Sequence, residues 1–92
     1  MKKAIKITKE QLEYILGADW KNFEEKILPN CFCGKCGGGA TIIDWQAELN
    51  ELNDAVLRGK CAKCGALMNR YAEIGEVKKY AKMIKEIKKR NE

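Results

Sequence analysis

Two short segments with almost the same sequence constrain the fold of this chain more than any other feature. Residues 33–37 are Cys-Gly-Lys-Cys-Gly and residues 61–65 are Cys-Ala-Lys-Cys-Gly. Two residues between paired cysteines let the backbone turn back, so that both sulfur atoms face one point. The glycine after each pair permits the positive φ with which the chain leaves such a turn. The two turns together predict a closed site for one structural metal ion, with four sulfur ligands: Cys33, Cys36, Cys61 and Cys64.

A chain of 92 residues buries little surface on folding, so we expect a disulfide bond or a bound metal ion to stabilise the fold. Disulfides are the alternative use of cysteine, but five cysteines cannot all pair within one chain. Lys6, Lys9 and Glu10 interrupt the apolar run that a secretory signal needs, and no stretch resembles a membrane span. We therefore expect a cytoplasmic protein with reduced thiols, no membrane partner and one structural zinc ion as its cofactor.

The fifth cysteine, Cys31, stands too close to Cys33 for the two to chelate one ion well. A free thiol is the preferred interpretation of Cys31. Exchange with Cys33 as a ligand and a redox-sensing thiol are the alternatives.

Residues 1–30 predict two short helices after a start that fits either a strand or a disordered segment. Thr8 begins a capping box, and Gly17 is placed to end the first helix. Asp19 is placed to cap the second helix and Pro29 to end it. Two helices joined by a glycine-containing turn also fit a helix-turn-helix, but the second carries two lysines against two glutamates. We prefer two helices that cover one face of the metal module.

The segment between the two cysteine pairs fits two patterns. Residues 43–50 alternate between apolar and polar, as in a half-buried strand. Helical spacing is present as well, at Trp45, Leu49, Leu52 and Val56. We prefer the strand, because Asn53-Asp54 supplies a turn from which residues 55–58 run back toward the second cysteine pair. Residues 67–73 alternate again and predict a third antiparallel strand.

Residues 31–73 resemble a zinc ribbon, the zinc-bound β-ribbon fold of transcription factors, RNA polymerase subunits and ribosomal proteins. The resemblance rests on the four cysteines of the two turns, on Gly37 and Gly65, and on the run Val-Leu-Arg-Gly-Lys at residues 56–60. It implies a structural zinc ion held by those cysteines and a binding role. The ribbon tip has Asn53-Asp54 instead of the Asp-Glu pair of transcript-cleavage factors, so that activity is not expected.

Residues 75–92 predict a basic C-terminal amphipathic helix. Its apolar face comprises Val77, Tyr80, Ala81, Ile84 and Ile87. Lysines occupy the opposite face, at Lys78, Lys82, Lys85 and Lys89. The sequence as a whole predicts a small α+β zinc-binding domain spanning residues 1–92. Its parts are a helical N-terminal segment (1–30), a three-stranded antiparallel zinc ribbon (31–73) and the C-terminal helix (75–92).

We expect a non-catalytic protein, because the chain contains neither histidine nor serine. The preferred hypothesis is a module that acts through protein–protein interaction, with a possible regulatory role. The apolar face of the C-terminal helix would then bind an unidentified protein or pair two copies in a weak homodimer. The chain by itself is expected to be a monomer or a weak homodimer that pairs through the C-terminal helix.

Nucleic-acid binding is the first alternative. The charge of four thiolates around a zinc ion lowers the formal +5 of the chain to about +3, which is mildly basic. The candidate contacts, with Tyr71 added for stacking, are Lys35, Arg58, Lys60, Lys63, Arg70, Lys78, Lys82, Lys85 and Lys89. The second alternative is electron transfer through iron, because rubredoxins hold iron with two Cys-x-x-Cys-Gly turns.

Overall fold

An antiparallel sheet and three helices make up most of the part of the chain that the computed structural model describes, residues 4–91. The first elements are strand β1 (Ile5–Ile7), helix α1 (Lys9–Leu16) and a continuous irregular helical segment over residues 17–30. This helical segment comprises a 3₁₀ turn (Gly17–Asp19), helix α2 (Trp20–Asn22), a π turn (Phe23–Ile27) and a 3₁₀ turn (Leu28–Asn30). Five strands follow: β2 (Cys31–Cys33), β3 (Gly38–Ala40), β4 (Ile42–Leu49), β5 (Ala55–Cys61) and β6 (Leu67–Ala72). Helix α3 (Lys78–Asn91) comes last.

The main sheet has four strands in the order β1-β4-β5-β6, and all neighbours are antiparallel. Strands β4, β5 and β6 correspond to the three predicted strands. The sheet differs from a three-stranded ribbon because β1 adds to the outer edge of β4, pairing Ile5 with Leu49 and Ile7 with Ala47. This pairing satisfies the backbone of that edge and places Ile7 in the core.

A second sheet contains only β2 and β3. The glycine run that follows the first cysteine turn belongs to a strand, because Gly38–Ala40 is β3. Cys31 pairs with Ala40 and Cys33 with Gly38 in this hairpin. The hairpin fixes the first cysteine turn at its tip.

The capping box predicted at the start of α1 is confirmed. The Thr8 hydroxyl accepts from the backbone N–H of Gln11, and the Gln11 side chain accepts from the backbone N–H of Thr8. Gly17 ends the helix with φ +54°. The prediction that Asp19 caps a second helix is wrong, since its side chain makes no cap. Its carboxylate instead accepts from the Tyr80 hydroxyl of α3.

The helices and the sheet share one hydrophobic core. The largest completely buried aliphatic side chains come from α1, β4, β5 and α3: Leu12, Ile15, Leu49, Leu57, Ile84 and Ile87. Tyr80 is buried with them, so three members of the apolar face of α3 lie against the chain's own fold. Of the apolar face named for the homodimer hypothesis, Val77 is half-buried and Ala81 is exposed. No helix in residues 4–91 combines the length and apolar character needed to span a bilayer.

A β-bulge bends β4 close to the second cysteine turn. Ile43 pairs with Lys60 and the next pair is Gln46 with Arg58, so that two residues of β4 lie opposite Gly59. The first of these two residues is in the left-handed region, with φ +51°. A Cβ atom on Gly59 would lie 2.6 Å from the carbonyl oxygen of Ile43. Glycine is therefore required at this position, two residues before Cys61.

Candidate metal centre

Two turns of the same form carry the four cysteines. Cys33 ends β2 and Cys61 ends β5, while the second cysteine of each pair lies in the turn that follows. The backbone N–H of Gly37 donates to the carbonyl oxygen of Cys33 at 2.8 Å, and that of Gly65 donates to Cys61 at 2.9 Å. Both glycines have positive φ, at +76° and +75°. This geometry agrees with the role that the sequence predicts for glycine after each pair.

The sulfur atoms of both turns meet in one cluster. The Sγ atoms of Cys33, Cys36, Cys61 and Cys64 all lie within 4.8 Å of one another. Cys33 Sγ is 3.6 Å from Cys64 Sγ, and Cys36 Sγ is 3.8 Å from Cys61 Sγ. A tetrahedral ion with metal–sulfur bonds of about 2.3 Å requires sulfur–sulfur distances of about 3.8 Å. A disulfide bond is only about 2.05 Å long, so the spacing fits a metal ion and does not fit disulfides.

Backbone N–H groups point at the sulfur atoms that begin each turn. The N–H of Cys36 donates to Cys33 Sγ at 3.4 Å, and the N–H of Lys63 donates to Cys61 Sγ at 3.3 Å. Such donors spread the negative charge of a thiolate. The N–H groups of Cys64 and Lys63 lower the pKa of Cys61 to about 6.

Crowding of the sulfur atoms raises the pKa of Cys36, whereas the backbone donors lower that of Cys61. The neighbouring sulfurs, that of Cys64 first and then those of Cys33 and Cys61, raise the pKa of Cys36 to about 12. The chain by itself therefore favours one thiolate and disfavours another within the same cluster. A bound divalent cation supplies the positive charge that allows all four thiols to ionise.

The donor set is closed. Cys33 and Cys61 are buried, whereas Cys36 and Cys64 face solvent. Two of the four sulfur ligands therefore lie on the core side of the site and two on its solvent side. Four protein ligands complete a tetrahedral site and leave no position for water or substrate. Such a site suits a structural metal, and four thiolates accommodate either zinc or iron.

Cys31 lies in the core and outside the sulfur cluster. It is completely buried, and its thiol donates to the carbonyl oxygens of Ile27 and Leu28 at 3.3 and 3.6 Å. Burial raises the pKa of this thiol. These contacts agree with the interpretation of Cys31 as a free thiol.

The basic residues named for nucleic-acid contact are spread over several elements. Lys35 and Lys63 are exposed within the two cysteine turns. Arg58 is held by Glu48, whose Oε1 accepts from both Nη2 and Nε at 2.8 and 2.9 Å. Arg70 is only half-exposed. The remaining positions are exposed, on β5 or on α3: Lys60, Lys78, Lys82, Lys85 and Lys89.

The structure also contains a groove that no pattern in the sequence indicates. It has a volume of about 530 Å³ and lies between residues 70–74, at the end of β6, and residues of α1 and the helical segment, including Phe23 and Ile27. Tyr80 of α3 also lines the groove, and Arg70 is the one basic residue in its lining. Its walls come from stretches that are far apart in the chain, so local periodicity contains no signal for it.

Comparison of this chain with protein-family models, with curated proteins and with solved structures finds no match. The functional proposal therefore rests on the residues of the site, their geometry and their chemistry.

Proposed function

We propose that this chain is a non-catalytic binding module, held in its fold by one structural zinc ion, that acts through protein–protein interaction. The observation that carries the proposal is the convergence of four cysteine sulfurs within 4.8 Å from two turns of the same form. The likeness of residues 31–73 to a zinc ribbon supports zinc as the ion. Rubredoxins tend to be acidic, whereas this chain has a formal charge of +5.

The closed donor set supports a structural role. A catalytic zinc keeps one coordination position for water or substrate, and four cysteine ligands leave none. The chain also lacks histidine, the commonest general base at neutral pH. We propose a monomer in a thiol-reducing compartment such as the cytoplasm, since Tyr80, Ile84 and Ile87 of α3 are buried and the ligands must stay reduced.

Elemental analysis of the purified protein tests the metal. The chain is produced in medium that contains both zinc and iron and is purified without chelators. We expect one zinc ion per chain and a colourless solution. A red protein with one iron per chain would instead support the electron-transfer alternative. Protein that folds with less than half an equivalent of either metal would contradict the proposal of a structural ion.

Crosslinking in cells tests the mode of binding. Metal-loaded tagged chain is crosslinked, treated with nuclease and analysed for covalently attached proteins. We expect the same protein partner to remain after nuclease treatment and to be lost when Cys61→Ser replaces the wild-type chain. Recovery of partners only when nucleic acid is intact would contradict direct protein–protein interaction.

Nucleic-acid binding is kept as a second candidate because α3 presents a row of exposed lysines. These residues recur at steps of four, three and four, which places them along one side of the helix: Lys78, Lys82, Lys85 and Lys89. Titration of a twenty-nucleotide single strand and a duplex at several salt concentrations tests this function. Affinity should fall steeply with salt, and more weakly in the double variant Lys82→Ala, Lys85→Ala than in the control Lys26→Ala. Affinity that does not change with salt would exclude this candidate.

A further inference from the structure

The groove of about 530 Å³ at the end of β6 has the size of a small-molecule site. Ligand sites in proteins enclose about 300–1,000 Å³ and combine an apolar lining with a few polar groups. Three of the residues that line this groove, Leu16, Phe23 and Ile74, belong to the hydrophobic core. Ile27, also in the lining, is half-buried. The groove therefore has the apolar part that a small-molecule site requires.

Arg70 brings a positive charge without a counter-ion to this groove. It makes no ion pair with any residue in 4–91, and its Nε atom is buried without a hydrogen-bond partner. The register pairs Arg70 with the buried Leu57, so the Arg70 side chain extends from the core-facing side of β6. Buried polar atoms without a partner are rare in folded proteins. An anionic group in the groove would supply the missing counter-charge.

Two carboxylates, those of Asp19 and Glu73, line the same groove. Lys79 already balances the charge of Asp19, and the Tyr80 hydroxyl donates to the same oxygen, Oδ2, so that neither contact uses Oδ1. Glu73 is exposed and makes no ion pair with any residue in 4–91. Arg70 and Glu73 are therefore the two charged groups of the lining that have no counter-ion within the described chain.

This combination of charges favours a zwitterion. A purely anionic ligand would bring its charge close to two carboxylates, and a purely cationic ligand would leave Arg70 without a counter-ion. A zwitterion offers a negative group to Arg70 and a positive group to Glu73. A free α-amino acid carries both groups on one carbon atom, and an apolar side chain on that carbon would match the apolar part of the lining.

We propose that the groove at the end of β6 binds a free α-amino acid with an apolar side chain. The α-carboxylate lies beside the guanidinium of Arg70, the α-ammonium group lies beside the carboxylate of Glu73, and the side chain contacts Phe23 and Ile27. Because the lining comes from α1, the helical segment, β6 and α3, the ligand stabilises the packing of these elements. This inference goes beyond the proposed function, since it adds a small ligand to a protein-binding module.

Isothermal titration calorimetry of the metal-loaded full chain at neutral pH tests the proposal, with L-leucine and L-phenylalanine as probes. We expect at least one of them to bind with a Kd of about 1 mM or tighter. The tighter probe is then compared with two analogues that each lack one charge. For phenylalanine these are phenylpropionate, without the ammonium group, and phenylethylamine, without the carboxylate. For leucine they are methylpentanoate and methylbutylamine. Both analogues should bind at least about tenfold more weakly than the amino acid.

Two variants test the two charged contacts separately. In Arg70→Gln the preference for the amino acid over the analogue without a carboxylate should disappear. In Glu73→Gln the preference over the analogue without an ammonium group should disappear. Arg58→Gln is the matched control, because Arg58 is held by Glu48 and does not line the groove. This control should bind the amino acid within about twofold of wild type.

Mapping of the site in the wild-type chain keeps the test decisive if Arg70→Gln does not fold. When the amino acid is added, the amide NMR signals of residues 70–74, Phe23 and Ile27 should shift, with the Kd that calorimetry measures. The amide signals of the two cysteine turns, residues 33–37 and 61–65, should stay in place.

Three outcomes would overturn the inference. The first is that neither amino acid binds at about 10 mM. The second is that an analogue with a single charge binds as tightly as the amino acid, and the third is that the amide shifts lie outside the groove. In each case a crosslinked protein partner would still support the proposed function. If no protein is crosslinked but the amino acid binds as described, the proposed function fails and this inference stands.

Discussion

Among single residues, Cys31 and Cys33 show how two identical side chains on one strand come to have different chemistry. Both side chains point from β2 into the protein interior, and the exposed Phe32 lies between them. Cys33 Sγ lies 3.6 Å from Cys64 Sγ and belongs to the sulfur cluster that could hold a metal ion. The Cys31 thiol donates to backbone carbonyl oxygens of the helical segment. The neighbours supplied by other elements, and not the residue type, separate a ligand from a core thiol.

Cys33→Ser should abolish metal binding and unfold the chain at 25 °C. A structural zinc site contributes about 10–16 kcal/mol of apparent binding free energy, which is as large as the entire free energy of unfolding of a small domain, about 5–15 kcal/mol. Elemental analysis and circular dichroism measure the two losses. In the control Cys31→Ala, we expect one metal ion per chain and a destabilisation of about 1 kcal/mol. Full metal content in Cys33→Ser would contradict the assignment of Cys33 as a ligand.

Among the elements, the bulge in β4 lies opposite Gly59, two residues before the second cysteine turn begins. We expect Gly59→Ala to lower the free energy of unfolding by about 2–3 kcal/mol, because a new Cβ would lie 2.6 Å from a backbone carbonyl oxygen. The control is Gly39→Ala, where a Cβ would have no neighbour within 4 Å and should change stability little. Urea unfolding of both metal-loaded variants compares them. Equal midpoints would show that the bulge relaxes without cost.

The hydrogen bond between Tyr80 of α3 and Asp19 of the helical segment makes the stability of the fold depend on pH. Burial, and then the hydrogen bond to Asp19, raises the pKa of Tyr80 to about 12. A raised pKa favours the protonated phenol in the folded chain, so this stabilisation is complete below the ordinary value of about 10 and is lost as the pH rises toward 12. Lys79, followed by Tyr80, lowers the pKa of Asp19 through hydrogen bonds. The stabilisation from Asp19 is thus lost at the acidic end, as the pH falls through its lowered value.

Titration of tyrosinate absorbance should resolve one phenol that ionises near pH 12. This step should disappear in Tyr80→Phe and remain in the control Tyr71→Phe. In Asp19→Asn it should move to lower pH and stay above 10, because burial is the larger cause of the shift. If Asp19→Asn leaves the high-pH step unmoved, the hydrogen bond between α3 and the helical segment does not form in solution.

For the whole molecule, the cysteine cluster brings together parts of the chain that lie far apart in sequence. The two cysteine turns belong to different sheets, and the cluster connects the β2–β3 hairpin to the end of the main sheet. Residues of the helices, of the β2–β3 hairpin and of the main sheet also belong to one core cluster. An ion bound by the four sulfurs would offset their negative charge and would connect the two sheets in addition to the shared core.

Removal of the metal with a chelator and a reductant should expand the chain. The folded protein has a Cα radius of gyration of 13.2 Å, and an unfolded chain of 92 residues has one of about 30 Å. Small-angle X-ray scattering before and after chelation measures this change, and return to the compact value on addition of zinc is the control for reversibility. A metal-free chain that stays near its folded radius would show that the hydrophobic core suffices without the ion.

The sequence by itself determined the features that depend on near neighbours along the chain. These are the two cysteine turns with their glycines, the capping box of α1, the strands β4 to β6 and the apolar face of α3. Each arises from spacing within a few residues, which backbone geometry translates directly into a turn, a cap or a face. The four candidate ligands could be named for the same reason, because the two turns have the same spacing.

Only the tertiary structure decided the features that join distant residues. Among them are the addition of β1 to β4, the hairpin made by the glycine run, the bulge opposite Gly59 and the pairing of Asp19 with Tyr80. The groove at the end of β6 belongs to the same class. Strand pairing, close backbone approach and groove walls depend on which segments meet after folding, and local periodicity does not contain that information.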